Sequence, residues 1–194
     1  MSFRSVSAFA LVTIVATAGF GADERPIDAQ RSTLTVRVYK SGLFSAFADN
    51  HVIRAPIASG SLTLDGALAV QIGVQSAALT VLDPDASVST RAEVQARMLG
   101  PEVLDSGTYP DIRFASTAVA VVNADRWSVT GNLTLHGQTR SMTFAVTRQD
   151  GRFRGSVPLK QTEFGIRPIR IMGGTVNVKD ELKVEFDIVT QRLP

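Results

Sequence analysis

Apolar residues return at every second position along most of this chain. Leu34, Val36 and Val38 alternate with Thr33, Thr35 and Arg37, and Leu62 and Leu64 alternate with Ser61 and Thr63. The same period runs through Leu68, Val70, Ile72 and Val74, then Leu79 and Val81, Ile112 and Phe114, and Val119 and Val121. It continues in Trp127, Val129, Leu133 and Leu135, returns through Met142, Phe144 and Val146, and reappears in Phe153, Val157 and Leu159. Leu182, Val184, Phe186 and Ile188 close the series. Side chains two apart share one face of a strand, whereas a helix spreads them around its axis, so these runs predict half-buried strands, eight or more in number. The shift from even to odd positions around Ser76-Ala77-Ala78 predicts a bulge or bend. Between the runs stand turn signals: Asp65-Gly66, Asn123-Ala124-Asp125, His136-Gly137, Asp150-Gly151, Gly173-Gly174 and Lys179-Asp180. Strands joined by such short turns imply an antiparallel meander, closed as a barrel or stacked as a sandwich.

One segment breaks the period. Thr90-Arg91-Ala92-Glu93 fits a capping box, Val94, Met98 and Leu99 share a helical face, and Gly100-Pro101 stops it. The fold class is therefore all-β with one short α-helix. No internal repeat or linker divides the chain, and residues 23–194 read as a single domain.

Residues 1–22 have a different character. Arg4 supplies positive charge, Ala8–Ala18 form an uncharged apolar run, and small residues follow at Ala18, Gly19 and Gly21 before Asp23-Glu24-Arg25. This is the layout of a secretory signal peptide, cleaved after Ala18 or around Gly21/Ala22. The apolar run is shorter than the roughly 20 residues a spanning helix needs. The expectation is an exported, periplasmic protein.

Composition narrows the chemistry. With no cysteine there is no disulfide, thiolate nucleophile or sulfur-ligated metal, and two histidines leave little for acid–base or metal work. Twenty Lys+Arg against eighteen Asp+Glu are scattered, without the clustered basic surface that nucleic acid requires. No Gly-x-Ser-x-Gly elbow marks a serine hydrolase. The reading is of a protein without catalytic residues, cofactor or metal.

Four blocks in order carry a resemblance: Arg91–Asp105 with Tyr109–Phe114, Gly131–Arg140, Glu163–Ile166, and the stretch Tyr39–Asp65 ahead of them. Together they resemble the YceI-like family of bacterial exported proteins over nearly the whole of residues 23–194. The resemblance implies a lipocalin-like antiparallel β-barrel of about eight strands with a helix across it. It also implies a long apolar chain (polyisoprenoid, quinone-like or fatty-acyl lipid) held inside, and a homodimer as a possible assembly. The segment Ala48-Asp49-Asn50-His51 departs from the paired histidines of many members.

An eight-stranded barrel is just wide enough to be filled by side chains or to hold one small ligand. Phe44, Phe47, Phe114, Leu133, Phe144, Phe164 and Phe186 are the expected interior wall. Arg167, Arg170 and His51 are candidates to meet a ligand headgroup, the arginines because guanidinium forks match phosphate oxygens. Two alternatives stay open: a small enzyme using His51 with Asp49, and an envelope interaction module with a filled core and no ligand.

Overall fold

A computed structural model of the protein describes residues 24–41, 50–65, 67–171 and 176–191. Phe44, Phe47 and Asp49 lie outside the described residues, as do residues 1–22, Gly66 and the Gly173-Gly174 turn signal.

The alternating runs form one 12-stranded sheet. In chain order its strands are β1 (Glu24–Pro26), β2 (Thr33–Ser41), β3 (His51–Arg54), β4 (Ile57–Thr63), β5 (Ala69–Gln75) and β6 (Thr80–Val81). After the helix α1 (Val88–Leu99) come β7 (Asp111–Asn123), β8 (Arg126–Leu135), β9 (Gln138–Gln149), β10 (Arg152–Lys160), β11 (Arg170–Ile171) and β12 (Val176–Ile188). All pairings are antiparallel. The order β5-β7-β8-β9-β10-β12-β2-β3 curls round, and β3 passes through Ala55-Pro56 into β4, which pairs with β5. Ala55 N–H donates to the Leu34 carbonyl at 2.9 Å, while Pro56, lacking an N–H, ends that ladder and lets the chain bend to its second partner. Counted as one bent strand, β3 and β4 complete a wall of eight strands. The sheet is the expected antiparallel barrel. At one end β1 lies against β4, and Ile27 bridges Thr190, tying the two chain termini of the barrel together.

Two of the turns show why their sequences were written as they are. His136-Gly137 and Asp150-Gly151 all take positive φ (49° and 70°, 52° and 72°), the pairing that a two-residue hairpin with right-handed strand twist requires. The expected turn at Lys179-Asp180 is a correction: both residues lie inside β12. There the register to β2 shifts between Val178 and Leu182, a bulge rather than a reversal. Gln161 Nε2 donates to the Lys179 carbonyl, and Asp180 accepts from Thr162 N and Oγ1, so the irregular backbone is satisfied by the turn at Gln161–Phe164. The phase shift after Gln75 is a single 3-10 turn, Ser76–Ala78.

The helix also begins earlier than its sequence suggests. Ser87 is the N-cap, its Oγ accepting from Thr90 N at 3.1 Å, so Thr90 sits inside the first turn instead of capping it. Gly100 ends the helix as expected. Gln95 fastens α1 to β6 through both ends of its amide: Oε1 accepts from Val81 N and Nε2 donates to the Leu79 carbonyl. The buried Met98, with Val94 and Leu99, then packs on Val38, Ile53, Leu79, Val81 and Leu104 across one end of the barrel. Ile27, Ile57, Leu62, Val129, Val146, Phe153 and Ile188 close the other. The outer face is polar, and β12 carries two ion-paired acids: Glu185 with Arg37 at 2.6 Å and Lys183 at 2.8 Å, Asp187 with Arg152 at 2.6 Å and Arg154 at 3.0 Å.

Candidate functional site

Between these two clusters the barrel is not filled. A cavity of about 830 Å³ runs along the interior, lined from α1 at one end to Trp127 and Phe153 at the other. That volume falls within the range of about 300–1,000 Å³ typical of small-molecule sites. Its wall is the alternating face of the sequence: Leu34, Val36 and Val38 of β2, Val70, Ile72 and Val74 of β5, Trp127, Val129, Leu133 and Leu135 of β8, and Leu182, Val184, Phe186 and Ile188 of β12. The strands point these residues inward because the outward positions carry the Thr, Arg, Lys and Glu that water solvates.

Of the expected interior residues, Phe114, Leu133, Phe144 and Phe186 line the cavity. Phe114 and Phe144 are 5.4 Å apart between ring centroids, and Phe144 and Phe186 are 5.7 Å apart. Phe164 does not line it. It is wholly buried in the turn after β10, packed in the helix-end cluster, and its carbonyl meets Nδ1 of His136 at 3.2 Å. The alternation rule could not have placed Phe164, because the residue belongs to a turn and not to a strand. His136 is itself half-buried, with Tyr109 4.4 Å away between ring centroids, and serves packing.

His51 does line the cavity. Its Nδ1 donates to Oδ2 of Asp83 at 2.6 Å, and the other oxygen of that buried carboxylate accepts from Val52 N at 2.8 Å. Asp83 is thus held from two sides. The loop bearing it is pinned in turn by Arg91 of α1, whose Nη1 donates to the carbonyls of Asp83 and Ala86. With Nδ1 committed to a carboxylate, the ring's orientation is fixed and Nε2 is the nitrogen left over. Sequence reasoning paired His51 with Asp49 by proximity. The carboxylate found beside it comes from 32 residues away, inside Leu82-Asp83-Pro84-Asp85, a stretch with no local signal that ties it to His51. Glu93 and Arg97, on the exposed side of α1, are the other charged residues that line the cavity. Arg97 also reaches Glu102 at 3.3 Å.

Arg167 and Arg170 are elsewhere. They border a separate polar hollow with Ser41, Thr162, Asn177, Lys179 and Asp180, which meets the cavity wall only at Val178. Neither arginine lines the cavity that His51 lines. Among the described residues, no three histidines and carboxylates gather as a metal site, and no helix is long and apolar enough to cross a membrane.

Comparison with known proteins agrees with this architecture. The family model for the YceI-like domain matches residues 26–190. A UPF0312 protein of Pseudomonas putida strain W619 is 34% identical over 89 residues, covering 41% of this chain and 46% of that protein. Another from Vibrio parahaemolyticus is 31% identical over 112 residues, covering 54% and 59%. The chain spans about half the length of the curated relatives it matches. Among solved structures, Burkholderia cenocepacia BcnA superposes with a TM-score of 0.65 at 20% identity, over 84% of this chain and 98% of that one. The Campylobacter jejuni YceI protein gives 0.52 at 13% identity, over 97% and 100%. With a matching family model across most of its length and the same curled antiparallel fold in these neighbours, the chain belongs to the YceI-like family.

Proposed function

We propose that this protein is an exported carrier that encloses a long apolar chain in its barrel. The observation that carries this reading is the cavity itself. Its volume is large, its wall is almost wholly Val, Leu, Ile, Met and aromatic, and polar residues are few along it. An apolar chain entering such a space gains about 0.8 kcal/mol for each CH₂ removed from water. Several isoprene units or a fatty-acyl tail therefore bind well without any specific chemistry. A cavity of this size has no structural use when empty, since its lining forgoes the dispersion contacts that a packed core makes.

His51, held by Asp83, is the group that meets the polar end of the ligand. Arg167 and Arg170, in their own hollow, are not part of that contact. The leader-like residues 1–22 support export to the periplasm, where such a carrier moves lipid through an aqueous space. No step of this function needs catalysis.

The test is uptake of cis-parinaric acid, a straight-chain polyene fatty acid that fluoresces when enclosed. Wild-type protein is expected to take up one molecule per chain. Leu133→Glu, which places a carboxylate on the cavity wall, is expected to abolish uptake while the protein stays folded. No uptake by folded wild-type protein, with this probe or with a prenyl alcohol, overturns the reading.

A further inference from the structure

Three of the wall's aromatic residues stand on alternate strands, Phe114 on β7, Phe144 on β9 and Phe186 on β12, and the strands between them carry glycine, Gly131 on β8 and Gly155 on β10. A Cβ added at Gly131 would run into the ring of Phe114, meeting its Cε2 at 2.8 Å and its Cζ closer still. One added at Gly155 would run into the ring of Phe186 in the same way, with Cε1 at 2.9 Å. Neither glycine has a positive φ, so neither is required by the backbone. Glycine weakens a strand interior, and in the absence of a conformational need it marks a close approach. Here a phenyl ring and a carbonyl of the neighbouring strand both approach. Phe114 and Phe186 recline on the bare backbone of the neighbouring strand, and Phe144 bridges them, tilted against Phe114 at 5.4 Å and edge-on to Phe186 at 5.7 Å. Two large side chains are thereby laid along the wall at a level where upright rings would occupy the middle of the barrel.

We infer that Gly131 and Gly155 are specificity-determining residues, which set the width of the cavity at the level of this aromatic belt and so admit a broad, branched chain as well as a slender one. The inference rests on the carrier reading, and goes beyond it by assigning width selection to two residues without side chains. A methyl at either position collides with the ring above it and also with a backbone carbonyl of the neighbouring strand, Ala115 O at 2.5 Å from the Gly131 position and Ala145 O at 2.6 Å from that of Gly155, so the ring must leave the wall and the backbone must shift as well. Overpacking of this kind forces both side-chain and backbone shifts, and the ring displaced into the barrel narrows it.

The experiment compares two fluorescent probes, straight-chained cis-parinaric acid and methyl-branched, ring-capped all-trans-retinol, on wild type, Gly131→Ala, Gly155→Ala and Phe144→Trp. Folding is checked by circular dichroism. The last variant narrows the belt without touching either glycine, and so keeps the test open should the alanine variants not fold. Wild type is expected to bind both probes. The narrowed variants are expected to lose retinol affinity by about tenfold or more while cis-parinaric acid changes by less than about threefold. Equal losses for both probes, or no loss of retinol, overturn the inference and leave the carrier reading standing. A folded wild type that binds neither probe overturns both.

Discussion

At the scale of single residues, the interior contains two kinds of phenylalanine that sequence does not distinguish. Phe164 is wholly buried among close neighbours, whereas Phe144 borders open space. Truncating a packed ring leaves a hole, while truncating a cavity-facing ring enlarges one that exists. Phe164→Ala is therefore expected to cost about 3–5 kcal/mol in urea unfolding, and Phe144→Ala less than about 2 kcal/mol. Equal costs would mean that the space beside Phe144 closes in solution. Asp83 raises a similar point. Its two oxygens satisfy the His51 ring and the Val52 N–H, and its removal orphans both. Asp83→Ala should destabilise by about 2 kcal/mol, and no such cost is expected for the exposed Asp85. The alternating positions could be read directly from the chain, because a strand's period of two is local. Asp83 could not, since its partner is fixed by how β3 and the loop before α1 meet. Nor could the seating of Phe186 on Gly155, which depends on the register of β10 against β12.

At the scale of elements, α1 is the piece whose position depends most on a few polar contacts. Ser87 caps it, Gln95 docks it to β6 and Arg91 holds the loop ahead of it, while only Met98 is fully buried. Ser87→Ala is expected to cost about 1 kcal/mol, the usual loss for an N-cap. Hydrogen exchange should show faster opening confined to α1, with β8 and β9 unchanged. An increase spread evenly over the strands would contradict the account of α1 as a separately anchored cover. The existence of the helix was legible from Val94, Met98, Leu99 and the Gly100-Pro101 stop. Its start was not, because Ser87 and Thr90 are both good caps by residue type, and it is Ser87 whose Oγ accepts from Thr90 N. The Lys179-Asp180 pair misled for a related reason: turn-forming residues also suit a bulge, and the carbonyl and carboxylate they present are claimed by Gln161 and Thr162.

At the scale of the whole molecule, β12 joins β10 to β2 and so closes the barrel, and its outward acids hold that closure electrostatically. Hydrogen bonds from Lys183 and Arg37, together with their charges, hold the Glu185 carboxyl below the usual carboxylate range. Burial pushes the Asp187 carboxyl up, but hydrogen bonds and charge from Arg152 and Arg154 outweigh it and leave that group lowered as well. A carboxyl lowered in the folded state contributes stability that is fully present above its unfolded pKa, about 4. That contribution is lost as pH falls through the folded value. Thermal unfolding midpoints are therefore expected to fall on acidification below about pH 4, and to fall less steeply in Asp187→Asn. A variant that follows the wild-type curve would show that these pairs do not stabilise the closure.

The same closure encloses an apolar-lined cavity of about 830 Å³, on which the proposed carrier function rests. The most direct measurement is made on protein purified without detergent from its own host, extracted with organic solvent and examined by mass spectrometry. The account predicts one long-chain apolar molecule per polypeptide. A folded protein that yields no lipid, and that takes up none when prenyl or acyl chains are supplied, would contradict it.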